Sequence, residues 1–374
     1  MIPRTLLAML AALALSTSAS AQWQIEPSHT QAGLRGISAV SNEIAWASGT
    51  NGTILRTLDG GATRLRCAVP AEGETLDFRA IRAASADAAL AMSAGPGTAS
   101  RLYLTSDGCK SWTLLLTNHD KEGFWDGLVA DDALTHAFII GDQVNGRFAL
   151  LYGLIADNAW IDMEKEFRTD LLDALLPVRP TESLFAASNS VLAGDVLEAP
   201  QFITGGKDGA YFHTIARDTI KGRILPLARK LPLAQAESAG AFSMAKGCTH
   251  SGKTLCTLVI VGGDYKQPDA HEGTATLATL ANLHTAPDAF RAAAKMPHGY
   301  RSAVAFDENS EAFIAVGPNG TDISRDGGLH WEALAPLKDD SPNSDKRWNA
   351  LSLPFAVGPD GRIGKLEDEA LVAH

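Results

Sequence analysis

The chain has 374 residues, 45% hydrophobic and 20% charged, with 34 glycines, an ordinary balance for a globular protein that buries a large core and turns often. The formal net charge is −11 and no stretch is rich in Lys and Arg, which argues against nucleic acid or an anionic membrane as the main partner, since both need a basic footprint.

Residues 1–21 read as a secretory signal peptide. Arg4 supplies a short positive region, Leu6 to Leu15 is an apolar run too short to span a bilayer, and Ala19-Ser20-Ala21 is a small-x-small cleavage site. The expectation is cleavage after Ala21 and a periplasmic or secreted protein whose residues 22–374 form one domain. No later segment is long and apolar enough to span a membrane.

Seven short apolar strands follow, each ending in a glycine: Gly49, Gly95, Gly141, Gly205, Gly262, Gly317 and Gly358. Their intervals of roughly 40 to 65 residues match the period of a four-stranded propeller blade. Turn-forming sets such as "TNGTILRT" (Thr50 to Thr57) and "PNGTDISR" (Pro318 to Arg325) then lead into the next strand. Upstream of each glycine strand stands an apolar or aromatic anchor: Leu34, Phe78, Trp125, Phe185, Phe242, Tyr300 and Trp348. Both series give the same count. The fold class predicted is therefore all-β, a seven-bladed β-propeller of four-stranded antiparallel blades.

A second repeat marks the corners. Ser324 to Trp331, "SRDGGLHW", fits Ser-x-Asp-x-Gly-x-x-Trp, and "TLDGGATR" (Thr57 to Arg64) and "TSDGCKSW" (Thr105 to Trp112) are degraded copies. In each, the aspartate can bond backbone N–H groups of its own turn, while the following glycine can take a left-handed conformation. The last blade lacks this turn, so the N-terminal stretch Trp23 to Glu26 is expected to supply its outer strand and close the ring. Met163 to Leu176 has helical spacing and is expected to form a short helix between the third and fourth blades.

Four cysteines in an oxidising compartment invite disulfides. Cys248 and Cys256 flank a polar loop and suit a bridge across a hairpin. Cys67 and Cys109 are harder to join, one falling late in an outer strand and the other at a turn tip, and small buried apolar residues are the alternative for all four. No zinc spacing, phosphate loop, metal-spaced histidine cluster or nucleophile elbow is present, so no cofactor is expected.

The entry to each blade's first strand and the turn after its second strand share one face, opposite the aspartate turns. The residues after the anchors include Arg35, Arg79, Asp126, Arg301 and Asn349, and Glu182 precedes its anchor by three positions. These six are the candidate ligand-binding residues, with Asn51, Asp142, Lys207, Asp264, Asn319 and Asp360 further out. Converging arginines would hold a carboxylate or an acidic peptide by bidentate hydrogen bonds. The competing reading is structural ion pairing, for instance Arg79 with Asp126. A sialidase-type hydrolase is the alternative function, with Tyr300, Tyr265, Glu182 and Arg301 as its raw material.

Several stretches together carry a resemblance: "RGISAVSNEIAWASGTNGTILRTLDGG", "DFRAI", "VIVGGDYKQPD", "GYRSAVAF", "VGPNGTDISRDGGLHW" and "GPDGRIGKL". The set is similar to the Asp-box (BNR-type) propellers related to the photosystem II stability and assembly factors, over nearly all of residues 22–374. The resemblance implies a seven-bladed propeller that binds another protein and assists assembly, with an arginine-containing surface including Arg35, Arg79 and Arg301 as the docking site. Residues and resemblance together are read as a non-enzymatic scaffold for a protein or peptide partner of acidic character. Two of the three aspartate turns depart from the pattern, with Arg64 in place of Trp and Cys109 in place of Gly. A monomer is expected.

Overall fold

The computed structural model describes residues 22–162, 178–193, 200–218, 223–250, 254–283, 286, 288–334 and 343–371. The expected signal peptide and the expected helix over Met163 to Leu176 lie outside the described residues.

Among those residues the protein is all-β apart from three short 3₁₀ turns, and its named strands pair antiparallel in five four-stranded sheets and one nine-stranded sheet. The first sheet runs through Leu34–Ala39, Ala45–Gly49, Ile54–Thr57 and Leu65–Arg66. The second and third sheets repeat this order from Phe78–Ala83 and from Trp125–Ala130. In the nine-stranded sheet, Gln201–Gly206 pairs at Gly205 and Gly206 with Ala236–Thr249, which joins two otherwise similar sets of strands. The penultimate sheet begins at Ala303–Asp307. In the last sheet Trp23–Glu26 lies outermost against Ile363–Leu366, in the register Trp23 to Leu366.

Neighbouring sheets pack face to face. Trp46 and Ile54 of the first sheet meet Phe78, Ile81 and Tyr103 of the second. Leu34, Ala47 and Leu55 on its other side meet Phe355, Val357 and Ile363 of the last sheet. Full burial of one such Leu or Phe contributes about 1.5–3 kcal/mol, so the apolar inner strands hold the assembly together. Backbone bonds cross the last of these seams and two others: the N–H of Leu34 reaches Gly358 O at 3.0 Å, that of Arg301 reaches Gly262 O at 3.0 Å, and that of Trp348 reaches Gly317 O at 3.2 Å.

The glycine repeat has a steric cause. A Cβ at Gly49, Gly141, Gly262, Gly317 or Gly358 would collide with a backbone carbonyl at the entry to an inner strand, namely that of Gly33, Phe124, Gly240, Tyr300 or Arg347. The second sheet differs. Phe78 pairs with Ser93, and Gly95 lies beyond the strand end.

The three aspartate turns share one hydrogen-bond pattern. Asp59 Oδ1 accepts from the Thr57 hydroxyl at 2.8 Å and the Thr63 N–H at 2.9 Å, and Thr57 Oγ1 accepts from the Gly61 N–H at 3.0 Å. Asp107 and Asp326 repeat it, with Ser111 and His330 as the corresponding donors. Departures from the ideal motif are absorbed locally. Cys109 takes the left-handed conformation of the glycine it replaces, φ 60°, and the Arg64 guanidinium lies over the Phe355 ring at 5.5 Å.

Both cysteine pairs are disulfides. Cys248 and Cys256 face each other across paired strands, as expected. Cys67–Cys109 corrects the expectation that these two are hard to join. They belong to different sheets, and packing brings the outer strand of the first against the aspartate turn of the second, where the Ala68 N–H bonds Cys109 O at 3.1 Å.

Candidate functional site

The entries to the inner strands carry β-bulges. Leu34 pairs with Gly49 and Gly36 with Ser48, which leaves Arg35 as an extra residue. Arg79, Asp126 and Phe242 are skipped in the same way between Phe78 and Ala80, Trp125 and Gly127, and Ala241 and Ser243. A bulge takes one residue out of the ladder and re-aims its side chain. Those four side chains converge on one cavity of about 750 Å³, with Asp142, Phe185, Tyr265, Tyr300, Trp348 and Asn349 also in its wall.

One side of the cavity is charged. Asp77 Oδ2 accepts from Arg79 Nε at 2.8 Å and lies 3.8 Å from Arg35 Nε, so a single carboxylate serves two guanidiniums. Burial, and then the neighbouring Arg79 charge, push the Arg35 guanidinium below its ordinary pKa. Arg35 Nε and Asp77 Oδ1 are buried without a hydrogen-bond partner in the protein. Burial, then the neighbouring Asp142 carboxylate, push the Asp126 carboxyl well above its ordinary range, and burial likewise raises Asp142.

The other side is aromatic. Phe185 and Phe242 stack at 4.2 Å and 12°, the Tyr300 ring meets Phe242 edge-on at 4.8 Å, and the half-exposed Tyr265 lies edge-on to both phenylalanines. These anchors pack the sheets and wall the cavity at once. Burial raises the Tyr300 hydroxyl above its ordinary pKa.

Of the six candidate residues, Arg35, Arg79, Asp126 and Asn349 line the cavity. Asn349 is tied down, its side-chain amide donating to Leu34 O at 2.8 Å. Arg301 and Glu182 are corrections, since neither lines the cavity. Arg301 is fully buried and runs back into its own sheet. Its Nε donates to Asp322 Oδ2 at 2.6 Å and its Nη1 to Asn319 Oδ1 at 2.6 Å. Glu182 is buried against His213 Nε2 and the Thr204 hydroxyl, both at 2.6 Å, and against Arg179 at 3.1 Å. Burial raises its pKa, but the His213 and Thr204 hydrogen bonds outweigh that and hold it below its ordinary value. Arg79 pairs with Asp77, where the sequence suggested Asp126. Tyr300 and Glu182, which a sialidase reading would bring together, therefore sit in different surroundings.

Sequence reasoning missed Asp77 and the double use of the aromatic anchors. The signal for Asp77 was its place directly before an anchor. The outer ring of turn residues also divides: Asp142 joins the cavity wall, whereas Asn319 serves Arg301 and Asp264 is held by Ser238 at 2.7 Å.

Antiparallel sheets packed face against face, with a cavity at the entries to their inner strands, have the architecture of a β-propeller. Solved propeller structures are similar to this chain over most of its length. YCF48 from Cyanidioschyzon merolae matches with a TM-score of 0.60 at 18% identity, covering 93% of this chain and 99% of that one. A structure of YCF48 bound to D1 peptide matches with a TM-score of 0.59 at 12% identity, covering 92% of this chain and 96% of that one. No protein-family model matches the chain, and no curated protein matches it.

Proposed function

We propose that this protein is an exported, non-enzymatic scaffold that captures an acidic peptide segment of a partner protein at the cavity formed by the strand entries. The observation that carries the reading is the charge balance around Asp77, where two arginines share one carboxylate and Arg35 Nε is left without a hydrogen-bond partner. A ligand carboxylate would neutralise the surplus guanidinium and supply the missing acceptor. The aromatic wall opposite offers apolar surface to flanking side chains. Support also comes from the fold neighbours, one of which holds a peptide, and from the resemblance to assembly-factor propellers.

On this reading the nine-stranded sheet counts as two blades, giving seven, and Trp23–Glu26 closes the ring as the outer strand of the last blade. The aspartate turns are the Asp-boxes of a bacterial branch of that family, and residues 22–374 form one propeller that works as a monomer. Two disulfides support removal of residues 1–21 and residence in the periplasm or outside the cell, where such bonds persist.

The test is fluorescence polarisation with a labelled Asp/Glu-rich peptide and its Asn/Gln counterpart. The acidic peptide is expected to bind with salt-sensitive affinity, and Arg35→Ala or Arg79→Ala to weaken it at least tenfold. Equal binding of the two peptides would defeat the reading.

A further inference from the structure

The cavity has a second pole that the arginines do not use. Asp126 is 3% exposed, lines the cavity, and leaves Oδ2 without a hydrogen-bond partner in the protein. The backbone N–H groups of Asp142 and Ala186 act against that burial to lower the Asp126 pKa, and the Leu184 N–H reaches Asp142 Oδ1 at 2.9 Å. Phe185 stands in the chain between Leu184 and Ala186, so the elements that fix both carboxylates also fix this ring in the same wall. Its stacking on Phe242, with Tyr265 edge-on, extends the aromatic face.

A desolvated carboxylate oxygen with no partner is costly, and an aromatic face attracts cations through its quadrupole. Together they favour an alkylammonium over a neutral group. We infer that Asp126, Asp142 and the Phe185–Phe242 stack form a cation subsite, which takes one lysine-type ammonium from the ligand whose acidic group Arg35 and Arg79 hold. The inference rests on the reading of this cavity as the ligand site. Burial and the Asp142 carboxylate raise the Asp126 carboxyl, and a bound cation would relieve both. Arg79 offers only partial relief, because its Nε is already committed to Asp77 at 2.8 Å. A ligand meeting both poles would carry an acidic and a basic side chain close together.

Calorimetric titration of the mature chain with Nα-acetyl-lysine N-methylamide and with its neutral norleucine analogue tests this. Expected are saturable binding of the lysine probe, at least tenfold weaker binding of the norleucine probe, and a tenfold or greater loss of lysine-probe affinity in the near-isosteric Asp126→Asn. Asp142→Asn is read in the same way should Asp126→Asn fail to fold. Equal binding of the two probes, no saturable binding of the lysine probe, or undiminished binding in a folded Asp126→Asn overturns the subsite. The two readings separate cleanly: an acidic peptide that binds without discrimination by the lysine probe sinks the subsite alone. A lysine probe that binds while the acidic and amidated peptides do not differ sinks the arginine reading alone.

Discussion

Asp77 accepts the Nε–H of Arg79 at 2.8 Å from two positions earlier in the chain, and the same oxygen lies 3.8 Å from Arg35 on the neighbouring sheet. The carboxylate is thus a bridge between two strand entries as well as a counter-charge. Asp77→Asn removes the charge and keeps the shape. Stability is expected to fall by about 0.5–1 kcal/mol, the scale of a partly exposed ion pair. Affinity for an acidic peptide should rise several-fold, because the guanidiniums then lose the anion paired directly with them. Urea denaturation beside peptide titration reads both numbers, and a loss of affinity would contradict the assignment.

Arg301 behaves differently because it is fully buried. Arg301→Ala would leave Asp322 in the interior with His298 as its remaining partner, and breaking a buried pair costs about 3–5 kcal/mol. The double change Arg301→Met with Asp322→Leu should recover much of that loss, since no unpaired charge remains. Chemical denaturation of the single and double variants decides this. If both are equally destabilised, the charge pair is not the source of the cost.

The two disulfides should differ in worth. Cys67–Cys109 spans a sequence separation of 42, against 8 for Cys248–Cys256. In the chain-entropy view the longer loop constrains the unfolded chain by roughly 1.5 kcal/mol more. Removing each pair by Ser substitution and comparing denaturation midpoints checks the order, with the larger loss expected for Cys67 and Cys109.

Stability should respond to pH in two opposed windows. Asp126 has a raised folded pKa, so the folded state keeps a proton that the unfolded chain has released, and this contribution to stability declines as pH rises above about 4. Asp126→Asn should flatten that decline and raise the melting temperature at neutral pH. Asp59 and Asp107 are held at about 2, chiefly by the hydroxyls of Thr63 and Ser111. Their contribution is complete above about pH 4 and is lost as pH falls toward 2. Melting curves from pH 2 to 8 should show both limbs, and Asp59→Asn should weaken only the acid one.

The repeat was legible because its cause is steric. Gly49, Gly141, Gly262, Gly317 and Gly358 leave no room for a Cβ, so their spacing reports the strand entries directly. Arg35, Arg79 and Asp126 could be placed at one opening for the same reason. Arg301 follows an aromatic residue in the sequence as Arg79 does, but its N–H bonds Gly262 O as that of Leu34 bonds Gly358 O, so it stands one register earlier, in the buried position of the anchors, and pairs with Asp322 and Asn319 in its own sheet. Glu182 was drawn to His213, thirty-one positions away, through a pairing that depends on register. Cys67 and Cys109 needed the packing of two sheets to meet.

Because Arg35, Arg79, Asp126 and Phe242 occupy bulge positions, they are exempt from the inward-outward alternation that the rest of each strand must obey. At Arg35 and Arg79 the chemistry of the opening can therefore be rewritten without disturbing the pleated frame behind it, whereas Phe242 also packs the sheets. A combinatorial library randomised at the two arginine codons should yield folded proteins with new ligand preferences far more often than one randomised at their immediate neighbours.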